Sequence, residues 1–123
     1  MKAAYIEKTG APEVIKIDEI EAKTPRDEQV RIRVYAVSVN PIDTYIRSGA
    51  VASEIQHRYI LGCDASGIIE SVGKGVQNFK AGDRVLCTNQ GLQGRQGTFA
   101  ELICIDEDWC YHLPDEVSFE TAA

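Results

Sequence analysis

Several things are missing from this 123-residue chain, and each absence narrows its class. No apolar run approaches the roughly 18 residues needed to cross a bilayer as a helix. The opening stretch MKAAYIEKTG carries Glu7 and Lys8 where a signal peptide would need its apolar segment. Basic residues are in deficit, 13 against 19 acidic, for a net charge of −6, which argues against nucleic acid and anionic membrane as partners. There is no repeat and no low-complexity block. Histidine is scarce: His57 and His112 are the only two, so a nucleophile with a positioned imidazole base is poorly supplied. Of the four cysteines, Cys63, Cys87, Cys104 and Cys110, no two stand in a C-x2-C pair. A chain of this size and apolarity needs no disulfide staples, so four reduced thiols, mostly buried in strands, are expected. The length suits one domain with a sizeable core.

What is present reads as many short strands. Ala3–Ile6 is a short apolar start closed by Thr9-Gly10-Ala11-Pro12, and Val14, Ile15 and Ile17 suggest a second strand. Val30, Ile32, Val34 and Ala36 alternate with Arg31, Arg33, Tyr35 and Val37, the period of a strand with one buried face. Asn40 to Gly49 predicts a two-turn helix: Asn40 as cap, Pro41 at the first position, Asp43 in the first turn and Gly49 as the left-handed stop. Residues 50–61 look irregular and 62–67 tightly turned. Further strands are expected around Ile68–Val72, Arg84–Cys87, Thr98–Ile105 and Trp109–Leu113, with a mobile glycine-rich loop at 88–97. Ser118, Glu120 and Thr121 could begin a helix near the end. The pattern predicts a mainly β barrel or sandwich with short helices.

Two glycine motifs fail as phosphate sites. Val72-Gly73-Lys74-Gly75 follows a strand, but Asn78 holds the third glycine position and no room remains for the helix that would face a pyrophosphate. A P-loop fails because Ile68 stands at its first glycine. Asp64-Ala65-Ser66-Gly67 is followed by a strand, so it is not a nucleophile elbow. Asn40, Asp43 and Tyr45 are the polar set most open to a functional reading, although cap chemistry accounts for the first two and core packing could account for Tyr45.

The ordered motifs resemble a known family. Asn40-Pro41-Ile42-Asp43-Thr44-Tyr45-Ile46-Arg47-Ser48-Gly49 is similar to the NPxDTYIRSG segment of quinone oxidoreductases of the zeta-crystallin type, in the medium-chain dehydrogenase/reductase superfamily. The likeness continues, in order, through Gly62-Cys63-Asp64-Ala65-Ser66-Gly67, Gly73-Lys74-Gly75-Val76, Lys80-Ala81-Gly82-Asp83-Arg84-Val85, Gly97-Thr98-Phe99-Ala100-Glu101 and Leu113-Pro114. The resemblance implies a GroES-like, partly open β-barrel over residues 1–123, the catalytic domain, with a Rossmann domain for NADPH expected beyond it. It implies hydride or electron transfer to a quinone or related enone, with Asn40, Pro41, Ile42, Asp43, Thr44 and Tyr45 bordering the cofactor. Tyr45 and Asp43 would be the catalytic pair, with Tyr59 and Asp64 nearby. It implies no zinc: zinc-dependent relatives carry Cys at Asn40, Gly-His-Glu at Gly62-Cys63-Asp64 and a four-cysteine lobe after Val85, where only Cys87 appears. A cytoplasmic protein, dimerising through the further domain, is the corresponding expectation. The chain departs from the family pattern at Val51, where a Tyr is common, and at His57, Arg58 and Leu61, where prolines are common. A stand-alone, non-catalytic GroES-like binding module and an enoyl or alkenal reductase fragment are the alternatives.

Overall fold

The computed structural model describes residues 1–123. Eight strands and two short helices follow in order: β1 Lys2–Ile6, β2 Lys16–Glu19, β3 Gln29–Val37, α1 Pro41–Ser48, β4 Tyr59–Ile60, β5 Ala65–Val72, β6 Arg84–Cys87, β7 Leu102–Asp106, β8 Cys110–His112 and α2 Phe119–Ala122. They form two antiparallel sheets, β2-β1-β4 and β7-β3-β5-β6-β8. β7 and β8 are consecutive in the chain yet lie at opposite edges of the larger sheet. Only Glu107–Trp109, a single 3-10 turn, joins them. At about 3.3 Å per residue that link is too short to cross a flat five-stranded sheet. The sheet is therefore curled until its edges nearly meet, the partly open barrel expected from the sequence.

Strand alternation builds the core. Val30 and Ile32 of β3 point inward beside Ala65, Ile69, Val85, Cys87, Ile103, Ile105 and Cys110, while Arg31 and Arg33 point out and share the Glu70 carboxylate at 2.7 and 3.0 Å. Opposite charges on neighbouring strands thus cover the outer face. The β3–β5 register shifts between Val34 and Ala36. There the strands come so close that a Cβ on Gly67 would lie 2.0 Å from the Arg33 carbonyl oxygen, so only glycine fits. A second cluster, Ile6, Ile46, Tyr59 and Leu61, seats α1 against β1 and β4.

Three local expectations change, and a fourth holds. Val14 belongs to a 3-10 turn at Pro12–Val14, because Pro12 fixes the first helical φ, and β2 starts only at Lys16. Residues 59–60 form a buried strand within the stretch expected to be irregular, paired with β1. The strand expected at Thr98–Ile105 is divided: Ala100 bridges to Ala3 of the small sheet, and only from Leu102 does the chain pair with β3. Ser118 does begin a helix, of one turn, its hydroxyl accepting the Thr121 N–H.

The Lys80-Ala81-Gly82-Asp83-Arg84-Val85 motif has a physical reason. The Asp83 carboxylate accepts the Lys80 N–H at 3.0 Å and pairs with the Lys80 ammonium at 2.7 Å, closing the turn. Arg84 then donates to the carbonyls of Pro114 and Val117, both at 2.7 Å, and lies 4.5 Å over the Phe119 ring. With Ser66 Oγ donating to the Phe119 carbonyl at 2.6 Å, this fastens α2 to the outside of the barrel.

Candidate functional site

The strand–helix junction after β3 is the most constrained polar feature. Asn40 takes the cap position of α1 in extended conformation, and Pro41 begins the helix. The Asp43 carboxylate reaches back to accept the Asn40 backbone N–H at 2.7 Å. The Asn40 side-chain amide reaches away from the helix and donates to the Asp64 carboxylate at 2.7 Å. Asn40 thus ties α1 to the segment entering β5. Gly49 ends the helix with φ +87, and its N–H caps the Tyr45 and Ile46 carbonyls.

The glycine-rich loop is tied to the same segment entering β5. The Cys63 carbonyl accepts the Gln90 N–H, and the Asp64 carbonyl accepts the Thr98 hydroxyl, both at 3.1 Å. Tyr59 is fully buried and donates its hydroxyl to the Gly91 carbonyl at 2.5 Å. Arg95 lies 4.8 Å over the Trp109 ring and donates to the Asn89 carbonyl. The segment expected to be a mobile loop is therefore tied to β4, to Cys63–Asp64 and to the approach to β8.

The six residues Asn40–Tyr45 divide by direction. Pro41, Thr44 and Tyr45 are exposed, Tyr45 at 50%, and Asn40 is half-buried. Ile42 packs against the cluster under the helix. Asp43 is only 4% exposed, and its Oδ1 has no hydrogen-bond partner. Burial raises its carboxyl pKa, the Asn40 N–H opposes that, and the Asp64 charge adds to it. Burial beside Asp43 and Asp64 pushes the Cys63 thiol up to about 11. Tyr59, expected near the ligand side, is a core anchor with no exposed surface. Nothing local in the sequence marks Gln90, Thr98 and Arg95 except the glycines flanking them, because Gln90 and Thr98 act across 27 and 34 positions and the Arg95 guanidinium lies over a distant ring.

A family profile described as alcohol dehydrogenase GroES-like domain matches residues 26–115. The chain belongs to this GroES-like domain family. A quinone oxidoreductase of Mus musculus is 40% identical over 124 residues, covering 100% of this chain and 36% of the relative. That of Pseudomonas aeruginosa is 38% identical over 121 residues, covering 98% of this chain and 34% of the relative. The crystal structure of Escherichia coli quinone oxidoreductase complexed with NADPH superposes with a TM-score of 0.91 at 34% identity, over 99% of this chain and 36% of that one. The GroES-like domain described here thus spans about a third of the length of these relatives.

For zinc, the GroES-like domain offers one neutral thiol at Cys63, an amide at Asn40 and two carboxylates already engaged by Asn40. No three His, Cys, Asp or Glu side chains converge on one point. That donor set does not fit a tetrahedral site. For a dinucleotide, the residue 73–75 turn opens no helix and residues 76–83 lead directly into β6, so no phosphate cradle exists within residues 1–123. Pro41, Thr44 and Tyr45 leave an exposed rim on α1 beside the half-buried Asn40.

Proposed function

We propose that this domain forms the acceptor-side wall of an NADPH-dependent reductase that delivers hydride or electrons to a quinone or a related enone. The observation that carries the reading is the Asn40 clamp, which fixes α1 against Asp64 and leaves Tyr45 half exposed beside it. The likeness to quinone oxidoreductases supports the substrate class. When bound, NADPH supplies the reducing hydride. Its phosphates would be held by residues outside 1–123, since this stretch covers 36% of the relatives and contains no cradle. Subunit pairing would use that further part as well.

Asn40, Pro41 and Thr44 border the nicotinamide in this reading, with Ile42 as the apolar support beneath. Tyr45 packs its ring against cofactor or acceptor, and its hydroxyl can donate to the acceptor oxygen. Asp43 acts from behind: too buried to meet substrate, it holds the Asn40 backbone and so the direction of the Asn40 amide. No step passes through zinc.

The test is NADPH consumption by the whole protein with a panel of quinones and enones. A quinone should be reduced, chelator should leave the rate unchanged, and Tyr45→Phe should lower kcat/KM about five- to tenfold, the size of one hydrogen bond. Absence of NADPH consumption with every acceptor would sink the proposal. Faster reduction of enones than of quinones would shift it to an enone reductase.

A further inference from the structure

Cys87 and Cys110 face each other directly across β6 and β8. Their sheet environment follows from the ladder. The Leu113 N–H donates to the Arg84 carbonyl, and the Thr88 N–H donates to the Trp109 carbonyl. Extending the register, 84 lies opposite 113 and 88 opposite 109, so these are hydrogen-bonded pairs. Such pairs alternate along an antiparallel ladder with non-hydrogen-bonded ones. Leu86 with Tyr111 is then a bonded pair, and Cys87 with Cys110 a non-bonded pair. In that type the side chains are closer and the Cα atoms stand about 4.5 Å apart. A disulfide spans Cα separations of roughly 4.4–6.8 Å. Both side chains point into the same core cluster, and each thiol is free.

We infer that Cys87 and Cys110 are a redox-active dithiol that closes to a cross-strand disulfide under hydrogen peroxide. The inference is independent of the reductase reading. Both cysteines are buried, and burial pushes the Cys110 thiol up to about 12 and the Cys87 thiol up as well, so the reaction requires β8, a three-residue strand at the sheet edge, to open and expose Cys110. The Cys110 thiolate attacks the peroxide O–O bond and becomes a sulfenic acid, releasing water after protonation. The Cys87 thiol then attacks the Cys110 sulfur: the S–S bond forms, the S–O bond breaks, and the Cys87 proton leaves with the hydroxyl as a second water. Two thiols are oxidised and one peroxide is reduced. The closed bond joins the two ends of residues 88–109, the stretch that carries Gln90, Arg95 and Thr98.

The experiment treats the purified protein with hydrogen peroxide under native conditions, alkylates it in denaturant and maps the peptides. Within this stretch, alkylatable thiols should fall from four to two. A linked peptide containing Cys87 and Cys110 should appear, and reductant should restore both thiols. Cys104→Ser should still give the linked peptide, and Cys110→Ala should not. Recovery of Cys87 and Cys110 as alkylated thiols after a treatment that oxidises Cys104 would overturn the inference. So would a link from either to Cys63 or Cys104. The wild-type peptide map decides the matter even if Cys110→Ala fails to fold.

Discussion

Asp43 shows how one side chain can be committed to a fold and uncomfortable in it. Its carboxylate satisfies the Asn40 N–H, yet it is 4% exposed and lies near a second carboxylate, Asp64, so its pKa is raised. The folded state therefore binds the Asp43 proton more tightly than the unfolded chain does. Its contribution to stability is full below the unfolded value, near 3.9, and is lost as pH rises through the higher folded value. Asp43→Asn keeps an acceptor for the Asn40 N–H and removes the titration. The stability of the wild type relative to Asp43→Asn, measured by denaturant unfolding from acid to neutral pH, should fall as pH rises. Asn40→Ala cuts the tie to Asp64 while leaving the backbone N–H to Asp43. In the whole protein it should lower kcat/KM about tenfold or more with a smaller effect on the melting temperature, as expected of a positioning residue. Asn40, Asp43 and Gly49 were legible in the sequence because capping is a local affair of three to nine residues. The partner of the Asn40 amide was not legible, since Asp64 is 24 positions away.

Elements in this molecule are held by close approaches that side-chain periodicity does not reveal. β3, β5 and β6 announce themselves by alternation and by their turns. β4 does not, because two residues carry no period, and Tyr59 is buried there by the loop folding over it. Gly67→Ala should destabilise the barrel by about 2–4 kcal/mol, read from chemical denaturation, because its Cβ would meet the Arg33 carbonyl at 2.0 Å where β3 and β5 shift register. Gly49→Ala should cost about 1–2 kcal/mol, since the helix stop requires φ +87. Arg84→Ala removes two hydrogen bonds and a ring contact from the segment 114–119. Proteolytic cleavage should then become faster between Pro114 and Ala123, with β6 itself still protected.

At the scale of the whole molecule, the barrel was readable from ordered motifs and strand count, and the division into two sheets was not. The chain passes from one sheet to the other within Phe99–Leu102, without any turn residue to mark the transfer. A 1–123 fragment, once shown by circular dichroism to be folded, should give no change in Trp109 fluorescence with NADPH, while the whole protein should bind it; micromolar binding by the fragment would contradict the reading given above. The clasp formed by β7, the 3-10 turn and β8 has a consequence for biosynthesis. A chain emerging from the ribosome can pair β3, β5 and β6 well before residues 102–112 are free. Until then β3 and β6 are both bare edges, open to strands of neighbouring nascent chains. One eleven-residue stretch then covers both edges almost together, so the interval of vulnerability ends in a single late event rather than strand by strand.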